Sequence, residues 1–376
     1  MLLNNLQLFN FRNYAELSVD FCKGINCITG ENGSGKTNIL DAIHFLSMTK
    51  GYFNASDSHS IRIGEASMMV RGQLESENGV EIMSCSVRSG HKKSFLYNQL
   101  EYEKMSDHIG VFPSVTISPR DLELATEGGE YRRRFMDSII SQYDRNYLVS
   151  LIKYNELLSQ RNSLLKKFAL SGFADWQLMS VFDEQLHRFS ETLTEIRRQF
   201  IDLFNPVFNQ LYGKLSAGKE SPDVRYVTQL TQGGLMESLL ECRKRDLDLQ
   251  YTSVGNHRDD LEFRLNGQPI KRFASQGQLK TFVTAIKLAQ FNLIANHSGK
   301  LPVLLFDEVF DRMDDQRIAR MLELVGEESF GQLFMTHTSY NRLLPMLEKS
   351  NREFLILEVN NSQIQKLKGG VGEKLS

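Results

Sequence analysis

The run Gly30-Glu31-Asn32-Gly33-Ser34-Gly35-Lys36-Thr37 has the spacing G-x-x-x-x-G-K-T, and that spacing suits a phosphate chain. Glycines let the backbone wrap closely around an anion, so successive N–H groups and the start of the following helix point at its oxygens. Lys36 would reach the β and γ phosphates, Thr37 would hold Mg2+, and Asn38 would extend the cradle into the helix. The implied ligand is ATP or GTP. Near the other end of the chain, the apolar run Val303-Leu304-Leu305-Phe306 leads directly into two acids, Asp307 and Glu308. At the carboxyl end of a parallel strand such acids face the ligand crevice. Asp307 then belongs on the Mg2+ side, and Glu308 is placed to orient or deprotonate the attacking water.

Two smaller features add to this set. Phe273-Ala274-Ser275-Gln276-Gly277-Gln278 is a small polar loop opening a helix, where Ser275 and the N–H groups near Gly277 suit another phosphate edge. His337 ends a second apolar strand, Phe334-Met335-Thr336-His337, within reach of a γ-phosphate or in an ordinary structural role.

Positioning these groups calls for an α/β framework. Leu6–Tyr14 and Leu17–Phe21 alternate apolar with polar residues and are predicted as half-buried strands. Gly24–Thr29 is a third strand, which the phosphate loop joins to a helix over 38–46. From about 67 to 102 the alternation returns, with turns at Glu77-Asn78-Gly79 and Ser89-Gly90, as in antiparallel strands. The last third alternates strands and helices again: Asp260–Leu265, the turn Asn266-Gly267, a helix over 278–295, and then the apolar strand before Asp307, which suits a parallel sheet.

Between these parts lies a long stretch poor in glycine and proline. Phe182, Leu186, Phe189, Leu193, Ile196, Phe200 and Leu203 step by four and three, the period of a coiled-coil seam. Leu148, Leu151, Asn155, Leu158, Asn162 and Leu165 follow the same steps, with a turn expected over 166–176. Two helices of about 20 residues would make an antiparallel arm about 30 Å long; the alternative is a pair of amphipathic helices lying on a core. The expected division is 1–140 and 209–376 as two parts of one head, with 141–208 as the arm.

A chain of 376 residues with 41% hydrophobic and 24% charged residues is long enough for two or three packed units, and is neither disordered nor collagen-like. No apolar run approaches the ~18 residues of a membrane span, and the N-terminus does not read as a signal peptide, so a cytoplasmic location is expected. The four cysteines form no C-x-x-C pair, which makes free thiols the default over zinc or disulfides. A net charge of −2 means that any basic surface must be local.

The order of these motifs resembles the ABC-type ATPases of the SMC and Rad50 kind and, more narrowly, the RecF family of bacterial recombination repair. The resemblance rests also on Leu8-Phe9-Asn10-Phe11-Arg12-Asn13-Tyr14, Ser118-Pro119-Arg120-Asp121-Leu122, Tyr131-Arg132-Arg133-Arg134-Phe135-Met136-Asp137 and Gly255-Asn256-His257-Arg258-Asp259-Asp260. It implies an ABC-type ATPase head with an inserted helical arm. Ser275-Gln276-Gly277-Gln278 would be the signature motif, Asp311 to Asp314 the D-loop, and His337 the switch histidine. The signature reads S-Q-G-Q rather than the transporter-type S-G-G-Q, and Asn256 stands where the family usually has proline.

The resemblance also implies ATP and Mg2+ as cofactors, an ATP-dependent homodimer, weak DNA-stimulated ATP hydrolysis, double-stranded DNA at gaps or junctions, and RecR and possibly RecO as partners. An SMC-like tether is the runner-up, disfavoured by the short arm. A transporter ATPase subunit explains neither the arm nor His257-Arg258-Asp259-Asp260. The basic clusters Lys92-Lys93, Arg132–Arg134, Arg197-Arg198 and Arg243–Arg245 suit DNA phosphates and suit a salt-bridged face equally.

Overall fold

The computed structural model describes all residues except 54, 55, 217, 219, 231–233, 310–320, 322, 326–329, 351 and 372–376. In chain order the strands are β1 (Leu2–Phe11), β2 (Tyr14–Asp20), β3 (Ile25–Thr29), β4 (Ser67–Ser76), β5 (Gly79–Arg88), β6 (Ser94–Tyr97), β7 (Leu100–Glu101), β8 (Ser114–Ile117), β9 (Pro222–Val227), β10 (Asp260–Leu265), β11 (Gln268–Pro269), β12 (Val303–Phe306), β13 (Leu333–His337), β14 (Glu353–Asn360) and β15 (Gln363–Val371). The helices used below are α1 (Lys36–Met48), α2 (Glu123–Thr126), α3 (Gly129–Tyr143), α4 (Arg145–Ser171), α5 (Trp176–Ser216), α6 (Gly234–Leu249), α7 (Ile270–Phe273) and α8 (Gln276–Ser298).

The chain divides into two compact units, 1–121 with 290–376, and 122–289. The first holds two six-stranded sheets. One is antiparallel, in the order β2-β1-β4-β5-β6-β7, and its strands alternate buried and exposed residues because only one face meets the core. The other runs β15-β14-β3-β13-β12-β8, parallel except for β15 at its edge. Here β3, β8, β12 and β13 are buried along their whole length, and β12 accordingly reads as an unbroken apolar run. Nearly all of α1 is buried, and Ile39, Leu40, Ile43, Phe45 and Leu46 share one core with residues of both sheets. A helix apolar on most sides is the expected filler between two sheets.

In the second unit α4 and α5 pack on each other and both touch α6. α5 has 41 residues, so at 1.5 Å per residue it extends about 60 Å. Its later turns pack on β9 of the small sheet β11-β10-β9, and Phe282 of α8 meets both Phe208 and Tyr212 of α5 and Phe263 of β10. The buried seam departs from the apolar one expected. In α5 it runs Met179, Asp183, Leu186, Ser190, Leu193, Arg197, Phe200 and Phe204, so every second position is shifted by one residue. In α4 it runs Tyr147, Ser150, Tyr154, Leu157, Arg161 and Leu165; of the expected residues Leu148 and Leu165 are buried, while Asn155 faces solvent.

The shift has a physical cause. Two buried arginines take the seam, each paired with two carboxylates: Arg161 with Asp183 and Asp246, and Arg197 with Asp259 and Asp137. Among the described residues no helix is long and apolar enough to cross a membrane. The four cysteines are free; Cys27 and Cys85 are buried, and Cys22 and Cys242 half-buried.

Candidate functional site

The phosphate loop leaves β3 at its carboxyl end and enters α1 at Lys36. Gly30, Gly33 and Gly35 all have positive φ, at 144°, 80° and 114°, a region closed to most side chains. Gly35 has a second constraint, since a Cβ there would lie 2.5 Å from Asn13 Nδ2 and 2.7 Å from Tyr14 Oη. Around Gly33 there is open space. Gly35→Ala is therefore expected to destabilise the nucleotide-free protein by roughly 2–4 kcal/mol, against about 1 kcal/mol for Gly33→Ala. Thermal melting of the two variants checks this, and equal melting temperatures would refute it.

The Lys36 ammonium is buried and donates to the carbonyls of Gly30 and Glu31, both at 2.8 Å. It thus lies folded back over its own loop. Thr37 Oγ1 donates to Asp307 Oδ1 at 2.8 Å, joining two residues that most of the chain separates. The meeting follows from the parallel sheet, in which β3 and β12 flank β13 and end at the same edge.

Thr336, one residue before the end of β13, donates to the same Asp307 oxygen at 2.9 Å, and its hydroxyl accepts the Glu308 N–H at 2.9 Å. Burial pushes the Asp307 carboxyl above its ordinary range, against the lowering by the Thr37 and Thr336 hydroxyls; nearby Glu308 raises it and Lys36 lowers it. A cation beside Asp307 would favour the ionised form. Thr37 Oγ1 and Asp307 are hard oxygen donors, and one carboxylate plus substrate phosphates is the usual holder of Mg2+, so these residues fit that ion.

Glu308 has φ 50°, a left-handed conformation rarely taken by a non-glycine residue. It turns the chain at the end of β12 immediately beside Asp307. His337 pairs in register with Thr29, next to the start of the phosphate loop. Its Nδ1 accepts the Ser339 N–H at 3.0 Å, which places the neutral ring's proton on Nε2. Asp311, with the rest of the expected D-loop, lies outside the described residues.

In the other unit, Ser275 and Gln278 bond reciprocally at the start of α8. The Ser275 N–H donates to Gln278 Oε1 at 2.7 Å and the Gln278 N–H to Ser275 Oγ at 3.2 Å. This is a capping box, which the S-x-x-Q spacing encodes. Ser275 and Gln276 are exposed, Gly277 is half-buried, and Phe273 just before them is 66% exposed.

Two contacts were not expected from sequence as site features. Asn13, in the turn between β1 and β2, donates to the Ser34 carbonyl and accepts from Asn38 Nδ2. Thr336 links both acids, as above. The only sequence signal for either was its place in an already noted stretch.

The basic clusters divide. Arg132 is held by Asp260 through two 2.8 Å bonds, and Arg133 donates to the Asp259 carbonyl at 2.6 Å. Arg197 is buried in its ion network, Lys93 pairs with Asp57 at 2.6 Å, and Arg243 lies over the Trp176 ring. Arg132, Arg133, Arg197 and Lys93 thus have structural partners within the chain. Lys92, Arg134, Arg198, Lys244 and Arg245 are exposed.

Comparison with known proteins gives a consistent picture. Residues 2–364 match the family model described as RecF/RecN/SMC N terminal domain. The chain is 43% identical over 359 residues to the DNA replication and repair protein RecF of Flavobacterium johnsoniae, covering 96% of this chain and 100% of that protein. It is 39% identical over 365 residues to the protein of the same name from Parabacteroides distasonis, covering 97% and 99%. A solved structure of the recombination mediator protein RecF with ATP, in the RecFOR pathway, superposes with a TM-score of 0.88 at 29% identity, covering 98% of each chain. An SMC head bound to the winged-helix domain of ScpA superposes at 0.57 with 17% identity over 100% of this chain and 99% of that one, a likeness of fold.

Proposed function

The chain belongs to the RecF family, and from that premise we propose that it is an ATP-dependent DNA-binding protein of recombinational repair and replication restart. It binds ATP with Mg2+, dimerises on ATP, holds double-stranded DNA at gaps or junctions, assists recombinase loading with RecR and possibly RecO, and is released by slow, DNA-stimulated hydrolysis. The observation that carries the nucleotide part is the 2.8 Å contact between Thr37 and Asp307. It sets the last residue of the phosphate loop beside a buried carboxylate, with Lys36 alongside.

In this reading Lys36 exchanges the Gly30 and Glu31 carbonyls for phosphate oxygens, and the loop N–H groups cradle the chain. Mg2+ held by Thr37 and Asp307 would neutralise charge on the β and γ phosphates. Glu308 orients or deprotonates the attacking water, and the His337 Nε2–H donates to the γ-phosphoryl oxygens as charge builds there. Ser275, Gln276, Gly277 and Gln278 of a second copy cover the nucleotide, with Asp311 near the shared face. The exposure of Ser275 and Gln276 beside an exposed Phe273 supports this. Donors aimed at the γ-phosphate from a second copy bind the ATP state better than the ADP state, so hydrolysis opens the dimer.

The DNA role comes from the relatives and is served by the exposed basic residues, which would contact phosphates without reading sequence. The test is binding of a labelled duplex, with and without a single-strand gap, in ATP, ADP or no nucleotide. ATP is expected to tighten binding at least tenfold, and Lys36→Met to remove the response. Indifference to DNA in every nucleotide state would refute the assigned substrate.

A further inference from the structure

Two turns outside the phosphate loop hold it in shape. β14 and β15 are joined by Asn361 and Ser362, since Asn360 pairs with Gln363. Both central residues are left-handed, with φ 49° and 64°. Two-residue turns of this kind favour asparagine followed by glycine. Asn361 suits the first position, but Ser362 stands where glycine would sit with less strain.

Its hydroxyl has a use there. Ser362 Oγ accepts from Asn13 Nδ2 at 2.9 Å and approaches the Asn13 carbonyl at 3.4 Å. The same Asn13 nitrogen donates to the Ser34 carbonyl at 3.2 Å, inside the phosphate loop. Asn13 Oδ1 accepts from Asn38 Nδ2 at 2.7 Å, in the first turn of α1. One side chain thus touches the loop, the helix start and the hairpin turn. The neighbouring Tyr14 hydroxyl donates to the Gly35 carbonyl at 3.1 Å. On the other flank, the Val359 carbonyl lies 2.4 Å from where a Cβ on Gly30 would stand, so the hairpin backbone also presses on the loop's first residue. Strain retained at one residue, whose hydroxyl engages the side chain that itself holds the phosphate loop, points to a functional contact.

We propose that Ser362 and Asn13 form a clasp that sets the phosphate loop in its anion-accepting shape before nucleotide arrives, which makes both of them positioning residues. The proposal rests on the ATP reading above. It gives the serine a role in a turn where glycine is easier, and it assigns the clasp to binding rather than to the chemical step.

The test uses full-length Ser362→Gly. Glycine suits the turn, so the melting temperature is expected to stay level or rise. The dissociation constant for a fluorescent ATP analogue is expected to rise about three- to tenfold, the worth of one hydrogen bond. The hydrolysis rate at saturating ATP should change less than about twofold, because phosphates once bound complete the loop's geometry. Ser362→Asn, which tolerates the left-handed region and carries an oxygen for Asn13, should restore most of the affinity. Without any nucleotide, amide hydrogen exchange over 30–38 should quicken in Ser362→Gly and slow again in Ser362→Asn. Unchanged exchange with unchanged affinity would overturn the clasp, as would a lost melting temperature that Ser362→Asn fails to restore. Quickened exchange in a protein whose wild type ignores the ATP analogue would uphold the clasp and refute the ATP reading instead.

Discussion

Glu308→Gln is expected to lower single-turnover ATP hydrolysis by at least about 100-fold and to leave ATP-bound dimers that do not come apart. Glutamine keeps the size and one acceptor oxygen of the side chain but cannot take a proton. The local frame should survive, because the Glu308 N–H remains on Thr336 Oγ1 and Asp307 remains bonded to Thr37 and Thr336. Binding and chemistry are thereby separated: Lys36, Thr37 and Asp307 are untouched, so ATP still enters. If ATP closes the dimer and hydrolysis opens it, removal of the second step traps the closed form. Light-scattering mass in saturating ATP reads the dimer directly. A variant that stays monomeric would sink the switch reading, and one that hydrolyses at the wild-type rate would remove Glu308 from the chemistry.

How much of this was legible in the sequence depended on distance along the chain. The phosphate loop, the acidic strand end and the alternating strands are local patterns, and each lies in the structure where its spacing put it. The meeting of Thr37 with Asp307 was inferred from the fold those patterns imply. The Ser362 contact with Asn13 crosses nearly the whole chain, and neither residue has a type that marks it. The helical seam was misplaced for a different reason. Apolar periodicity passes over Asp183, Ser190 and Arg197, yet these are buried, while Leu203 in the expected seam is 45% exposed. Basic clusters were ambiguous because charge alone does not tell whether an arginine meets solvent or a carboxylate. Arg132 and Arg134 are near neighbours; the first is tied to Asp260 of β10, while the second stays exposed and pairs with Glu130 one turn back on its own helix.

That buried polar seam leads to the largest stability effect expected in the molecule. Arg161 donates from Nε to Asp183 at 2.7 Å, and from one terminal nitrogen to Asp246 at 2.7 Å and to Thr252 Oγ1 at 3.0 Å. All three charged side chains are fully buried. Asp246 also accepts the Ser253 N–H at 2.9 Å and hydroxyl at 2.6 Å, and Asn162 accepts both the N–H and the hydroxyl of Thr252 at 2.7 Å. One arginine thereby ties α4 to α5, to α6 and to the loop after α6. Arg161→Met keeps most of the volume but leaves two carboxylates buried opposite each other, with Arg243 only 3.7 Å from one of them as partial relief. Removing one partner of a buried ion network costs about 3–5 kcal/mol, so urea unfolding followed by helix signal should shift by that amount. Adding Asp183→Leu to Arg161→Met removes one of the stranded charges and should recover part of the loss, since apolar residues of similar size often replace buried ions without penalty. Full recovery is not expected, because Asp246 would still be buried with its Ser253 bonds and no cation. A single variant as stable as the wild type would mean that water reaches the carboxylates and that the network fixes the helix register without holding the unit together.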